Sequence, residues 1–383
     1  MSISPLIDPG HDRGRRPRGR RGFTRPRAAL AVALALAVAA IAALAVALVR
    51  TGGGHHASPA AAGRARASGS SGPRSRALSS SAAAASAPTL STPALALSPI
   101  GLALGRAPLT LRGIGAPQRD RLQIRFHAPP RAGLLFNLDS GLVLWQRNPL
   151  RRLRVASLNK MMTALITVRS APPGARVLVT REAVESQGSK VGVLPRGRHV
   201  RLESMLYGLL LPSGNDAATA LAQRVAGSAS AFVARMNREA AHLGLACTRF
   251  SSPSGYFDEG NFSCPADLAV LAHVDLAQPR LARITRTLAA VLPFPIKGGK
   301  LFLYNNNPLL IYHYPGLTGL KTGYTVASGR CLVATAERRG VRLGVVLLHS
   351  PAPASQARRL LDLGFERVYH QAPVPGPPIP PEA

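Results

Sequence analysis

Between Ala156 and Val168 the chain is apolar on nearly every side of a helix, yet a lysine sits inside that run. The stretch reads Ala156-Ser157-Leu158-Asn159-Lys160-Met161-Met162-Thr163-Ala164-Leu165-Ile166. Leu158, Met161, Met162, Leu165, Ile166 and Val168 leave no broad polar face, the pattern of a helix in the middle of a domain. Any fold that contains it must therefore accommodate the amine of Lys160. Ser157 and Lys160, three residues apart, share one helix face one turn apart, so the amine can reach the hydroxyl. Burial lowers a lysine's pKa, and a neutral amine can take a proton from a serine. Taken alone, the four-residue pattern also describes a surface lysine beside an N-cap serine.

With 383 residues the chain has room for one large domain or two small ones, plus tails. Its charge is lopsided: from Arg13 to Arg119 there is no Asp or Glu, and the formal net charge is +31. Lys160, Lys190, Lys297, Lys300 and Lys321 are all of its lysines. In so Arg-rich a chain each retained lysine invites a reason, because arginine cannot lose its proton in a protein. Such a charge raises the question of nucleic acid. Much of the excess lies in low-complexity sequence beside an apolar run, which favours anionic lipid or cell-wall polymer as partner and not nucleic acid. Cys247, Cys264 and Cys331 show no CxxC spacing and signal neither a metal site nor a disulfide framework; a Cys247–Cys264 bridge and three separate buried thiols both stay open.

Residues 1–27 read as a basic cytoplasmic tail, with arginines at 13, 15, 16, 18, 20, 21, 25 and 27. Ala28–Val49 runs uncharged for 22 residues, long enough to cross a bilayer. The arginines before it predict a single-pass signal-anchor in the cell membrane, with everything beyond Arg50 outside. Cleavage near Ala45-Val46-Ala47 would instead release a secreted protein, and Arg20-Arg21-Gly22-Phe23 resembles a twin-arginine export signal. Residues 50–115, rich in Ala, Ser, Gly and Pro, read as a disordered linker, within which His55-His56 are solvated. The folded domain is expected over 116–371, followed by a loose Pro-rich tail, 372–383.

Within that domain Ala132–Leu138 and Leu142–Gln146 flank Asp139-Ser140-Gly141, a hairpin signal. Helical patterns follow from Leu202 to Val225, broken at Pro212-Ser213-Gly214-Asn215, and then at Ala229–Leu243 and Pro265–Val274. Strands return beyond 285, with Leu317–Tyr324, Arg330–Ala336 and Arg342–His349, and a last helix spans Ala354–Leu363. Strands at both ends with helices between them predict one α+β domain built on an antiparallel sheet. Trp145 reads as core or hairpin packing, His349 and His242 as structural, and Arg330 as either a carboxylate contact or an ordinary surface charge.

Two further short strings stand after the serine–lysine pair. Ser213-Gly214-Asn215 lies 56 residues beyond Ser157, in the break between helices, and Lys321-Thr322-Gly323 lies 108 beyond Ser213, on a predicted strand. Each is weak alone; their order, spacing and contexts together are the strong signal. With them the chain resembles the serine penicillin-binding proteins, specifically the low-molecular-mass D-alanyl-D-alanine carboxypeptidases, whose motifs are SxxK, SxN and KTG. Leu209–Ala218, Phe232–Asn237, Asp267-Leu268-Ala269 and Gly319–Thr325 look like the surrounding family sequence, so the resemblance covers about residues 130–365.

The resemblance implies a β-lactamase/D,D-peptidase-like fold, an antiparallel sheet packed with helices and a helical subdomain. It implies that Ser157 is the nucleophile on a peptidoglycan stem peptide, Lys160 the general base and Ser213 the proton relay to the leaving D-alanine. Asn215 would orient Lys160 and the substrate amide. Lys321 and Thr322 would receive the terminal carboxylate, and Gly323 would let the strand edge approach the substrate. Backbone N–H groups of Ser157 and Tyr324 would form the oxyanion hole. No cofactor or metal is implied, and β-lactam antibiotics would be inhibitors acylating Ser157.

Two positions depart from the family. Asn261 stands where a histidine is common, and Thr318 where an acid is common before the third motif. The family's usual C-terminal β-domain and amphipathic anchor are not matched either. The rivals are a serine β-lactamase, lacking here the Glu-x-x-Leu-Asn string of class A enzymes, a D,D-endopeptidase acting on cross-links, and an inactive peptidoglycan-binding module.

Overall fold

The structure, a computed structural model, describes residues 96–256 and 259–380. The expected cytoplasmic tail, the apolar run 28–49 and most of the linker lie outside the described residues. Among the described residues no helix is long and apolar enough to cross a membrane.

The first hairpin forms where its sequence signal places it. Asn137 Oδ1 accepts from the N–H groups of Asp139 and Ser140, folding the turn back on itself. The strands it joins are β1 (Ala132–Asn137) and β2 (Val143–Arg147). A short 3₁₀ turn, Ala156–Asn159, runs directly into α1 (Lys160–Ser170). A small excursion follows, with β3 (Arg176–Leu178), α2 (Arg181–Glu185) and β4 (His199–Arg201). Next come the helices α3 (Leu202–Leu210), α4 (Asn215–Ala226), α5 (Ala229–His242), α6 (Pro265–Leu276) and α7 (Pro279–Thr285). A second hairpin, β5 (Ala289–Pro293) and β6 (Lys300–Tyr304), leads through α8 (Pro308–Ile311) to β7 (Leu317–Thr325), β8 (Gly329–Arg338) and β9 (Val341–Leu348). The last helix is α9 (Pro353–Leu363).

The main sheet is antiparallel in the order β2-β1-β9-β8-β7, which leaves β7 on an edge. All six residues of β1 are buried, because helices cover both faces of the sheet. On one face Phe136, Val333 and Val346 meet Leu158, Met161 and Leu165 of the nucleophile region. On the other, Leu135, Leu332 and Leu347 meet Leu360, Leu361 and Phe365. A separate apolar cluster, with Met205, Leu209 and Leu221, fills a helical subdomain of α3, α4 and the two small hairpins. The fold is α+β, an antiparallel sheet packed with helices and a helical subdomain, as the sequence predicts.

Two boundaries differ from the expectation. Residues 96–115, read from composition as linker, lie against the domain. Leu109 is buried, Arg112 exchanges backbone bonds with Gly141 and Val143, and Gly105 N–H donates to Ala241 O at 2.7 Å. Scattered leucines here fill slots in a preformed surface, so they show no periodicity of their own. The Pro-rich tail also packs: Arg358 donates to the carbonyls of Gly376 and Pro377, and Ile379 joins the cluster beneath α9.

Candidate active site

Ser157 occupies the 3₁₀ turn at the mouth of α1 and Lys160 is the first residue of the helix itself. In a 3₁₀ turn residues three apart eclipse one another, which aligns hydroxyl and amine better than an α-turn does. Lys160 Nζ lies 2.8 Å from Ser157 Oγ, 2.7 Å from Asn215 Oδ1 and 2.7 Å from the carbonyl of Ser254. The amine is fully buried, whereas Ser157 is partly open. Burial drives the Lys160 pKa well below its ordinary value, the positive charge of Lys321 adds to this, and Asp216 opposes it. A neutral amine has two N–H groups and one lone pair. Two of its three neighbours, the Asn215 and Ser254 oxygens, can only accept. The lone pair is therefore left facing the Ser157 hydroxyl, the geometry of a general base.

Asn215 opens α4, and its side-chain amide is fixed at both ends: Nδ2 donates to Gln187 O at 2.5 Å while Oδ1 receives Lys160. Oδ1 thus fixes one side of the Lys160 amine, while Nδ2 is taken up by Gln187 O. Asp216, whose role the sequence did not disclose, accepts from the N–H groups of Val191 and Gly192 and so ties the irregular segment beside the cleft to α4. Ser213 sits in the α3–α4 break at φ +67°, and its buried hydroxyl has no partner among the described residues. A buried hydroxyl without a partner is uncommon, and this one lines the cleft beside Ser157.

Edge strand β7 closes the other side. Lys321 is buried and donates to Thr322 O at 2.9 Å, and burial pushes its pKa down to about 7. A Cβ at Gly323 would lie 2.9 Å from Val155 O and 3.1 Å from Ser157 N. Glycine is thus required first for the strand's approach to the nucleophile's own turn, where the family resemblance implies only an approach to substrate. Tyr324 is exposed, and Arg330 and Thr322 also line the cleft, whose volume is about 320 Å³. Ser189 and Asn306 complete its rim. Asn306 is held by Leu211 O and Pro212 O and lies two residues beyond the end of β6.

The third partner of Lys160 is a backbone carbonyl, which carries no signal in sequence. The segment presenting it is held from several sides. Thr163 Oγ1 of α1 donates to Pro253 O at 2.7 Å, and Asn159 donates to Ser252 O. Gly255 comes so close that a Cβ there would lie 2.0 Å from Ala156 O. Asn261, at the departure from the family pattern, is completely buried; it accepts from Asn159 and from Ser251 N–H, and donates to Ser252 Oγ. It therefore braces this segment from beneath. Cys247 and Cys264, 17 residues apart, are bonded and bracket the segment, while Cys331 is free and buried. The other departure, Thr318, bonds the Thr335 hydroxyl across the sheet. His349 packs on Gly329, and Trp145 donates to Ile124 O, both as structural residues.

A family model described as D-alanyl-D-alanine carboxypeptidase matches residues 126–352. The chain belongs to that family. The D-alanyl-D-alanine carboxypeptidase DacF of Bacillus subtilis is 33% identical over 245 residues, covering 62% of this chain and 62% of that protein. The chain thus spans about three-fifths of that relative's length. DacB2 of Mycobacterium tuberculosis is 35% identical over 245 residues, 62% of this chain and 82% of the relative. A solved mutant of the Streptomyces K15 DD-transpeptidase is 29% identical, covers 63% of this chain and 99% of its own, and superposes with a TM-score of 0.59. All three motifs of this D-alanyl-D-alanine carboxypeptidase family member fall inside the matched residues.

Proposed function

We propose that the chain is a serine D-alanyl-D-alanine carboxypeptidase that removes the terminal D-alanine from peptidoglycan stem peptides. The observation that carries this is the buried, charge-depleted Lys160 with its lone pair on Ser157 Oγ, beside an edge strand that carries a second buried lysine. The peptide lies along β7, whose outer edge is free of any neighbouring strand in the sheet. Its terminal carboxylate goes to Lys321, Thr322 and Arg330. Ser157 Oγ attacks the carbonyl carbon of the penultimate D-alanine as its proton passes to Lys160, and backbone N–H groups of Ser157 and Tyr324 receive the oxyanion. The C–N bond then breaks. The proton moves from Lys160 through the Ser213 hydroxyl to the departing amine, and D-alanine leaves an ester on Ser157. Water, giving up its proton to Lys160, cleaves the ester and restores the serine. β-Lactams acylate the same oxygen.

Residues 28–49 act as a signal-anchor in this proposal, holding the domain outside the cell membrane near anionic wall polymer. The Streptomyces neighbour is a transpeptidase, which makes an amine acceptor a second fate for the acyl-enzyme. The test is release of D-alanine from a peptide ending in D-Ala–D-Ala, for wild type beside Ser157→Ala, with and without a D-amino acid as acceptor. Release that depends on Ser157 supports the proposal. Equal release from both proteins, or none from the wild type, overturns it.

A further inference from the structure

The β5–β6 hairpin breaks the usual rule for a sheet that faces water on one side. Its inner residues, Leu292, Leu301 and Leu303, join the apolar core of the helical subdomain. Its outer residues should then be polar. Instead Ala289 pairs with Tyr304 and Val291 with Phe302 on the solvent side. Val291, Phe302 and Tyr304 are 56%, 61% and 67% exposed, so these are three of the most exposed large apolar side chains among the described residues. Three such side chains adjoining on one small sheet form a patch, unlike scattered surface leucines.

The two small hairpin segments carry charge of one sign, and the nearby Glu203 is paired with Arg280 and Arg283. Lys297 and Lys300, two of only five lysines in the chain, stand at the hairpin's tip. Pro295 of the same tip shares a surface basin with Arg176, Arg198 and His199 of the neighbouring β3–β4 hairpin. On β3 and β4 the outward pairs are Arg176 with Arg201 and Leu178 with His199. Neither Arg286–Tyr304 nor Ser189–Leu202 contains a single acidic residue. Aromatic and aliphatic side chains flanked by lysine and arginine are the composition of a surface that lies at a lipid headgroup boundary, apolar groups inward and cations on anionic heads.

We propose that the outward face of the β5–β6 hairpin, with the basic residues beside it, docks the catalytic domain on an anionic bilayer. The Val291, Phe302 and Tyr304 side chains enter the headgroup boundary, and Lys297, Lys300, Arg176 and Arg198 meet the lipid phosphates. Because Asn306 at the cleft rim lies two residues beyond the end of β6, docking would also fix that rim close above the lipid. This goes beyond the carboxypeptidase reading and needs only that the domain lies on the same side as a bilayer surface.

The test uses the full chain carrying Val291→Cys labelled with an environment-sensitive fluorophore, bound to vesicles of phosphatidylcholine alone or with phosphatidylglycerol. Sedimentation with the vesicles reports attachment of the chain by any route; the fluorophore reports the hairpin. The expected result is a blue shift and brightening with phosphatidylglycerol, lost in the Lys297→Glu/Lys300→Glu background and on raising the salt. Labelling by fluorescent penicillin should be unchanged in that background, which shows the domain is folded. Vesicle-bound protein without a shift overturns the docking surface and leaves the anchor standing. A shift that appears equally in pure phosphatidylcholine and grows with protein density identifies a second copy of the chain as occupant and overturns it too. A shift produced by peptidoglycan fragments without vesicles overturns it in favour of the polymer. Failure to sediment with either vesicle overturns both docking and anchoring.

Discussion

At the scale of single residues, two lysines hold opposite duties in one water-poor place. Lys160 must be neutral to take a proton, while Lys321 must be charged to hold a carboxylate. Both bind their protons less tightly in the folded chain than in an unfolded one, where lysine titrates at its ordinary value of 10.5. Their contribution to stability is thus fully present above that value and falls as pH drops towards their folded pKa values. For Lys321 the window runs from 10.5 down to about 7. Urea midpoints should therefore rise between pH 7 and pH 9.5, and the rise should be smaller in Lys321→Met. In the free enzyme, loss of the Lys321 proton should give kcat/KM an alkaline limb beginning near 7. A bound carboxylate holds that proton, so the limb should move upward in kcat. Coincident limbs in the two profiles would contradict the assignment. Gly323→Ala places a methyl 2.9 Å from Val155 O. The backbone must shift at the nucleophile, costing about 1–3 kcal/mol of stability and most of the acylation rate, read by penicillin labelling and thermal melting.

At the scale of elements, the motif residues were legible because each is a side chain with fixed chemistry at a fixed place in the chain. The first hairpin, α1, α3 to α6, the strands β7 to β9 and α9 match their apolar patterns closely, whereas β3, α2 and β4 are too short to show a period. The 251–261 segment was not legible as part of the site. Its contribution to Lys160 is the Ser254 carbonyl, which any residue type would supply, and its brace is Asn261, which reads in sequence only as a departure from a pattern. Removing that brace takes one of two acceptors from the buried Asn159 amide, which keeps Ser252 O, and removes the acceptor of Ser251 N–H. Asn261→Ala should therefore cost about 1–3 kcal/mol of stability. It should also lower the acylation rate with little change in substrate KM, and Asn261→His, which retains a ring nitrogen, should recover part of the loss. The Cys247–Cys264 bond closes a 17-residue separation around the same segment. Replacing both cysteines by alanine should lower stability by about 3 kcal/mol and slow penicillin acylation; an unchanged rate would mean the segment holds Lys160 without the bond.

At the scale of the whole molecule, the nucleophile stands where three parts of one compact unit meet: the central helix α1, the helical subdomain with Ser213 and Asn215, and the sheet edge with Lys321. The topology brings residues 56 and 108 positions apart into one cleft, which is why spacing alone could announce a site without showing its shape. The start of the folded unit was misplaced for a related reason. Residues 96–115 owe their order to surfaces built by distant sequence, such as the Leu109 contact with the core and the Arg112 pairing with the first hairpin. Leu109→Ala should accordingly destabilise the domain by about 2–5 kcal/mol, seen as a lower melting temperature; a neutral effect would return this stretch to the linker. The measurement that tests the central claim most directly is intact-mass and peptide-mapping analysis of the full chain after a brief exposure to penicillin. A single adduct on the peptide containing Ser157, absent in Ser157→Ala and strongly slowed in Lys160→Met, is the expected result. An adduct that persists in Ser157→Ala, or that forms as fast without the Lys160 amine, would contradict the assignment of nucleophile and base.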